Sequence, residues 1–102
     1  MKSRTGIWMI AIAAISASAV AQGATVYKTK CQSCHGATGV PSAAMAKSMG
    51  VRPVTDPAVK AMDEAKMIEI TTNGEKKMPA FKGKLTDAQI KEAVAHYRKL
   101  IK

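Results

Sequence analysis

The chain has 102 residues, a formal net charge of +9 from 16 basic and 7 acidic side chains, 47% hydrophobic residues and only 4% aromatics. That length is one small domain and excludes a multidomain enzyme, while the balance of apolar and charged residues excludes wholesale disorder. With so few rings the core is short of apolar volume, and small domains in that position commonly depend on a disulfide, a metal or another added constraint.

In chain order, Met1 to Gly6 carries Lys2 and Arg4, Ile7 to Ile15 is apolar without a charge, and Ser16 to Ala21 is built of small residues ending Ala19-Val20-Ala21. This succession predicts a secretory signal peptide over 1–21, cleaved after Ala21, with Ala17-Ser18-Ala19 offering a second cut two residues earlier. From Ile7 to Ala21 the stretch is shorter than the ~20 apolar residues of a spanning helix, so no membrane anchor is expected after cleavage. The mature domain is then 22–102, with Tyr27, Phe81 and Tyr97 as its aromatics, and its expected location is the periplasm.

No segment of the mature chain alternates convincingly as a strand, and helices punctuated by Gly and Pro fit better. The piece from Gly23 to about Ser33 carries Val26 and Tyr27 and leads into the two cysteines. A short helix is expected between Ser42 and Met49, stopped by Gly50, and another turn starts at Asp56-Pro57, an N-cap followed by proline at the first helical position. From Asp63, a further N-cap, a helix with a narrow apolar face runs through Met67, Ile70 and Thr71 to Asn73-Gly74. The stretch from Gly74 to Thr86 contains Pro79 and Gly83 and is expected to be an ordered loop. Thr86 with Gln89 makes a capping box, and Ile90, Ala93, Val94, Tyr97, Leu100 and Ile101 form the stripe of an amphipathic C-terminal helix. The fold class is therefore all-α with long loops.

Cys31-Gln32-Ser33-Cys34-His35 is a C-x-x-C-H sequence, the pattern of covalent haem attachment. Two thiols three positions apart on a helical turn lie on one side and can bond two vinyl groups along one haem edge. The adjoining imidazole of His35 is then placed to reach the iron as axial ligand. Three plainer readings compete. A Cys31–Cys34 disulfide suits an oxidising compartment but leaves the core short of volume. A thioredoxin-like pair requires a βαβ context that is absent, and a structural zinc site requires four ligands where only His96 lies beyond the pentapeptide. Of the methionines, Met45, Met49, Met62 and Met67 suit core filling. Met78, in the loop and followed by Pro79, is the candidate sixth ligand, with His96 as a rival whose expected role is that of a solvated helix residue.

On these residues the chain resembles the class I cytochromes c, the small single-haem bacterial electron carriers. In that family a glycine and an aromatic precede the first haem cysteine at a fixed interval, kept here by Gly23, Tyr27 and Cys31. The resemblance implies that Tyr97 on the last helix crosses Gly23, that Met78 in Met78-Pro79-Ala80-Phe81 ligates the iron, and that the Pro41 carbonyl accepts from the other ring nitrogen of His35. It also implies three main helices with short turns around one covalent haem c.

An iron with both axial positions filled by protein passes electrons and has no open site for substrate, so a one-electron carrier is expected rather than an enzyme. The alternative is a peroxidase-like or ligand-binding cytochrome with a labile sixth ligand; a third class is a metal-handling protein using Cys and Met sulfur. Lys76, Lys77, Lys82 and Lys84 bracket the Met78 loop, with Lys47 and Lys30 expected near the same edge. That positive rim suits acidic redox partner proteins, although ordinary solubility accounts for such lysines too. Nucleic acid is not an expected partner, and a monomer is.

Overall fold

The computed structural model describes residues 22–102, so the signal-peptide expectation lies outside the described residues. Helix α1 (22–35) begins as an α-helix over 22–26, widens into a π turn at Tyr27–Cys31 and closes as an α-turn at Gln32–His35. In the π turn the Gln32 N–H reaches back five residues to the Tyr27 carbonyl. The Thr29 hydroxyl donates to the Thr25 carbonyl at 2.9 Å, a side-chain bond that competes with the regular backbone ladder at this point.

The remaining helices begin at side-chain caps. Helix α2 (Ala43–Met49) starts where Ser42 Oγ accepts from the Met45 N–H and stops at Gly50 in the left-handed region. Helix α3 (Pro57–Ala61) opens with Asp56 accepting from Ala58 at 2.8 Å. Helix α4 (Glu64–Asn73) opens with Asp63 accepting from Lys66 at 2.7 Å. Helix α5 (Asp87–Lys99) carries a complete capping box, Gln89 N–H to Thr86 Oγ1 at 3.1 Å and Thr86 N–H to Gln89 Oε1 at 2.9 Å. Each such cap satisfies donors the helix leaves open and is worth about 1 kcal/mol.

Among the described residues there is no strand; isolated bridges pair Glu75 with Met78 and Lys82 with Leu85. Helices α4 and α5 pack together, and α1 packs against α5 through its π turn and against α2 through its last turn. Val59, Met67, Ile90 and Val94 form the buried core, with Met62, Ile68, Phe81, Leu85, Tyr97 and Ile101 packed on it. Met67 and Met62 thus fill the core as expected, whereas Met45 and Met49 are half-buried on α2 and stand outside that cluster.

At the α1–α5 crossing a Cβ on Gly23 would lie 2.6 Å from the Glu92 carbonyl oxygen and 3.1 Å from its carbon, so the glycine admits the backbone at Glu92. Tyr97, five residues further along α5, leans toward the helix N-terminus and packs against Tyr27 and His35.

Candidate functional site

Helix α1 delivers Cys31, Cys34 and His35 together at its C-terminal end, all three half-buried and both thiols free. Burial and the neighbouring Cys34 push the Cys31 thiol up to about 11. Burial lowers the pKa of His35, keeping its imidazole neutral. His35 Nδ1 is buried and has no hydrogen-bond partner, so the Pro41 carbonyl does not accept from it. The cause is the turn after His35: Gly36 takes φ 82 and the chain folds back so that the Val40 carbonyl, not that of Pro41, lies against Gly36. Pro41 itself is half-buried ahead of α2.

The ring of Tyr97 stands edge-on to His35, with centroids 5.4 Å apart and planes at 68°. Tyr27 is 2% exposed, its hydroxyl donates to the Gly36 carbonyl at 2.6 Å, and burial raises its pKa well above the ordinary phenol range. It remains a donor at any ordinary pH. His96 departs from its expected role: it is half-buried and its ring centroid lies 5.0 Å from that of Tyr27. The cause is that Tyr27, which α1 turns inward, meets α5 at that residue.

The second group of candidates hangs from α4. Met78 is half-buried in the tight turn after Gly74, where the Met78 N–H donates to the Glu75 carbonyl at 2.9 Å and the Glu75 N–H returns to Met78 at 3.1 Å. Pro79 follows, and then Phe81, whose N–H donates to the Thr71 carbonyl at 3.0 Å while its ring packs on the core. Lys77 Nζ donates to the Ser48 carbonyl at 2.6 Å, tying this loop to the end of α2. Lys77 is thus tied to α2 at the surface, and Lys76, Lys77, Lys82 and Lys84 all stand exposed around the same loop. Phe81 from the loop and Tyr97 beside His35 share one core, which joins the two groups. Gly36 and Gly74 escaped the reading of the sequence as site residues; their positions, one directly after His35 and the other four before Met78, are the only signal.

Residues 18–96 match the family model for cytochrome c oxidase, cbb3-type, subunit III. The chain belongs to that family. It is 35% identical over 86 residues to the cbb3-type cytochrome c oxidase subunit CcoP of Azospirillum brasilense, covering 82% of this chain and 29% of that protein. It is 37% identical over 94 residues to the same subunit of Azospirillum sp. (strain B510), covering 85% and 30%. The chain therefore spans less than a third of the length of the curated relatives it matches. Among solved structures it resembles the KustC0563 c-type cytochrome, with 30% identity and a TM-score of 0.70 over 78% of this chain and 98% of that one. The fold is that of cytochrome c, and a c-type cytochrome domain carries covalently attached haem and transfers electrons.

The residues at the end of α1 fit such a group. Both thiols are unpaired and neighbouring, and burial keeps the adjoining imidazole neutral, as a ligating ring must be. Among the described residues no cluster of His, Cys, Asp and Glu offers a rival metal site.

Proposed function

We propose that this chain is a periplasmic one-electron carrier with a single haem c, held by thioethers at Cys31 and Cys34 and ligated by His35 and Met78. The observation that carries the proposal is the pair of free thiols beside a half-buried, neutral histidine at one helix end. The bound haem supplies a reversible one-electron couple at iron. Cys31 and Cys34 tether it, so that it stays with the chain through every cycle. His35 presents a neutral imidazole, and burial, by disfavouring the imidazolium, keeps the ring competent to ligate. Met78 presents a thioether, a soft donor that favours the ferrous state and sets a higher potential than a nitrogen or oxygen ligand. A haem iron held by both His35 and Met78 would have no open coordination site for substrate, which supports transfer over catalysis.

The partners on this reading are redox proteins that dock where Lys76, Lys82 and Lys84 stand exposed, through acidic surfaces of their own. The curated relatives are subunits of a cbb3-type oxidase by name, and a respiratory oxidase complex of that kind is the partner class we propose. Cleavage after Ala21 leaves Gln22 as the first mature residue, and among the described residues no helix is long and apolar enough to cross a membrane.

Acid-acetone extraction and intact mass test the attachment. The expected outcome is haem retained on the protein, with a mass equal to the chain from Gln22 plus one haem. A bare chain two hydrogen atoms lighter than the dithiol form, with haem in the extract, would establish a Cys31–Cys34 disulfide and end the covalent haem reading.

A further inference from the structure

We propose that Tyr27 is a positioning residue for His35, acting through the peptide carbonyl of Gly36; the inference rests on the reading of His35 as the iron's axial ligand. An axial imidazole is ordinarily held in orientation by a hydrogen bond from its distal ring nitrogen. Here His35 Nδ1 has no acceptor, so the constraint has to reach the ring through its backbone and its packing.

The backbone constraint is visible at the next residue. The Gly36 carbonyl accepts twice, from the Tyr27 hydroxyl at 2.6 Å and from the Gly39 N–H at 3.3 Å, while the Gly36 N–H donates to the Gln32 carbonyl at 2.8 Å. The N–H of the His35–Gly36 peptide and the carbonyl of the Gly36–Ala37 peptide are therefore both committed, and φ 82 at Gly36 fixes the corner between them. Tyr27 is itself immobilised, 2% exposed, with His96 at 5.0 Å and Tyr97 at 6.2 Å between ring centroids. Tyr97 completes the arrangement by standing against the edge of the His35 ring.

The stretch between donor and acceptor is not one straight α-helix: it widens into the π turn at Tyr27–Cys31 and ends at Gly36, where φ 82 leaves helical geometry. π turns of this kind are frequent at functional sites, and here the widened turn begins at the donor and ends at the first cysteine.

The test uses the haem-loaded protein. Tyr27→Phe keeps the ring between His96 and Tyr97 and deletes only the hydroxyl. Two readouts report on the ligand rather than on stability: the paramagnetically shifted haem-methyl proton resonances of the ferric protein, which depend on the plane of the axial imidazole, and the midpoint potential. The expected result is a changed spread of methyl shifts and a moved potential in Tyr27→Phe, with both retained in Tyr97→Phe, which preserves the edge contact to His35. Wild-type methyl shifts and potential in Tyr27→Phe overturn the inference, as does an equal change in Tyr97→Phe, which would indicate general loosening. If Tyr27→Phe does not accumulate, a wild-type Tyr27 hydroxyl proton that exchanges with solvent as fast as that of an exposed tyrosine overturns it equally, and a protected one supports it. His35→Ala separates the two levels: a low-spin spectrum unchanged in that variant defeats the ligand assignment and this inference with it, whereas a loss of low-spin character in His35→Ala beside an unaltered Tyr27→Phe defeats this inference alone.

Discussion

Replacing Gly74 by alanine directs strain at the proposed sixth ligand. Gly74 ends α4 at φ 79 and ψ 163, a backbone region that residues bearing a Cβ almost never occupy. An added Cβ would stand 2.9 Å from the Ala80 nitrogen, 3.0 Å from the Met78 carbonyl oxygen and 3.3 Å from the Pro79 carbonyl carbon. All three are backbone atoms, so no side chain can swing aside, and the Met78–Ala80 segment has to withdraw by several tenths of an ångström. The backbone conformation costs on the order of 1–3 kcal/mol and the crowding about as much again. Immediately beyond the clash, Phe81 and Lys82 are held by the Thr71 and Thr72 carbonyls at 3.0 and 3.1 Å, so the displacement falls on Met78. If only about 2 kcal/mol of this strain is released when the thioether leaves iron, an added ligand gains roughly thirtyfold in affinity. The assay is titration of the ferric protein with imidazole, following the red charge-transfer band of thioether-ligated iron, beside denaturant unfolding. Gly50→Ala is the control: its φ is 68 with nothing within 4 Å of the added Cβ, so it carries left-handed strain of about 1 kcal/mol and leaves imidazole affinity alone. The reasoning is refuted if Gly74→Ala lowers global stability while imidazole affinity and the band stay at wild-type values.

Met78→Ala is expected to abolish the same band, lower the midpoint potential and admit external ligands, while Met67→Ala, which removes a core side chain, costs on the order of 2–5 kcal/mol of stability and spares the spectrum; the reverse pattern in absorption and voltammetry would reassign the ligand. Without haem, a core of eight buried apolar residues is expected to leave the Cys31→Ala, Cys34→Ala chain molten, and cooperative unfolding with native-like near-ultraviolet dichroism would falsify that. In a haem-free chain that keeps its cysteines, burial would favour the neutral Cys31 thiol, so a packed fold would lose stability as pH rises from the ordinary thiol value toward 11. Because the haem-free chain is expected to be molten, alkylation should instead follow the ordinary thiol pKa of ~8.5, and a midpoint near 11 would contradict it. Charge reversal at Lys82 and Lys84 is expected to slow electron exchange with an acidic partner by on the order of tenfold at low salt and to flatten its ionic-strength dependence; stopped-flow rates independent of both salt and substitution would show that the rim does not steer docking.

The helix boundaries were legible because each is decided within a few residues. Ser42, Asp56, Asp63 and Thr86 cap helices whose first N–H groups lie two or three positions on, and Gly50 and Gly74 stop them where a positive φ is needed. The attachment pentapeptide is local in the same sense: Cys31, Cys34 and His35 share one helix end by spacing alone. The Met78 loop was also legible as a loop, since Pro79 and Gly83 break any helix, but its fastening was not. The Phe81 N–H finds the Thr71 carbonyl, and Lys77 finds Ser48, 29 residues away. The tie of Lys77 is not legible because a sequence shows that a lysine is near a site, not whether a helix end with exposed carbonyls lies within reach of its ammonium group.

What the sequence left open concerns height along a helix and not which face is used. Period 3.6 places Ile90, Val94 and Tyr97 on one stripe of α5, and the burial follows that stripe; it does not say which turn meets Gly23. The turn at Glu92 does so, and the Tyr97 ring stands against His35. The π turn was equally invisible, for Tyr27–Cys31 contains no Gly or Pro to announce an irregularity. Its effect is felt only in three dimensions, where Tyr27 meets His96 and grips Gly36. The two features meet at one place: the Tyr27 hydroxyl reaches the Gly36 carbonyl and the Tyr97 ring stands edge-on to His35. On the proposed reading of His35 as the axial ligand, whose Nδ1 has no acceptor, that is where support is needed, and Tyr27 would supply there what the Pro41 carbonyl does not.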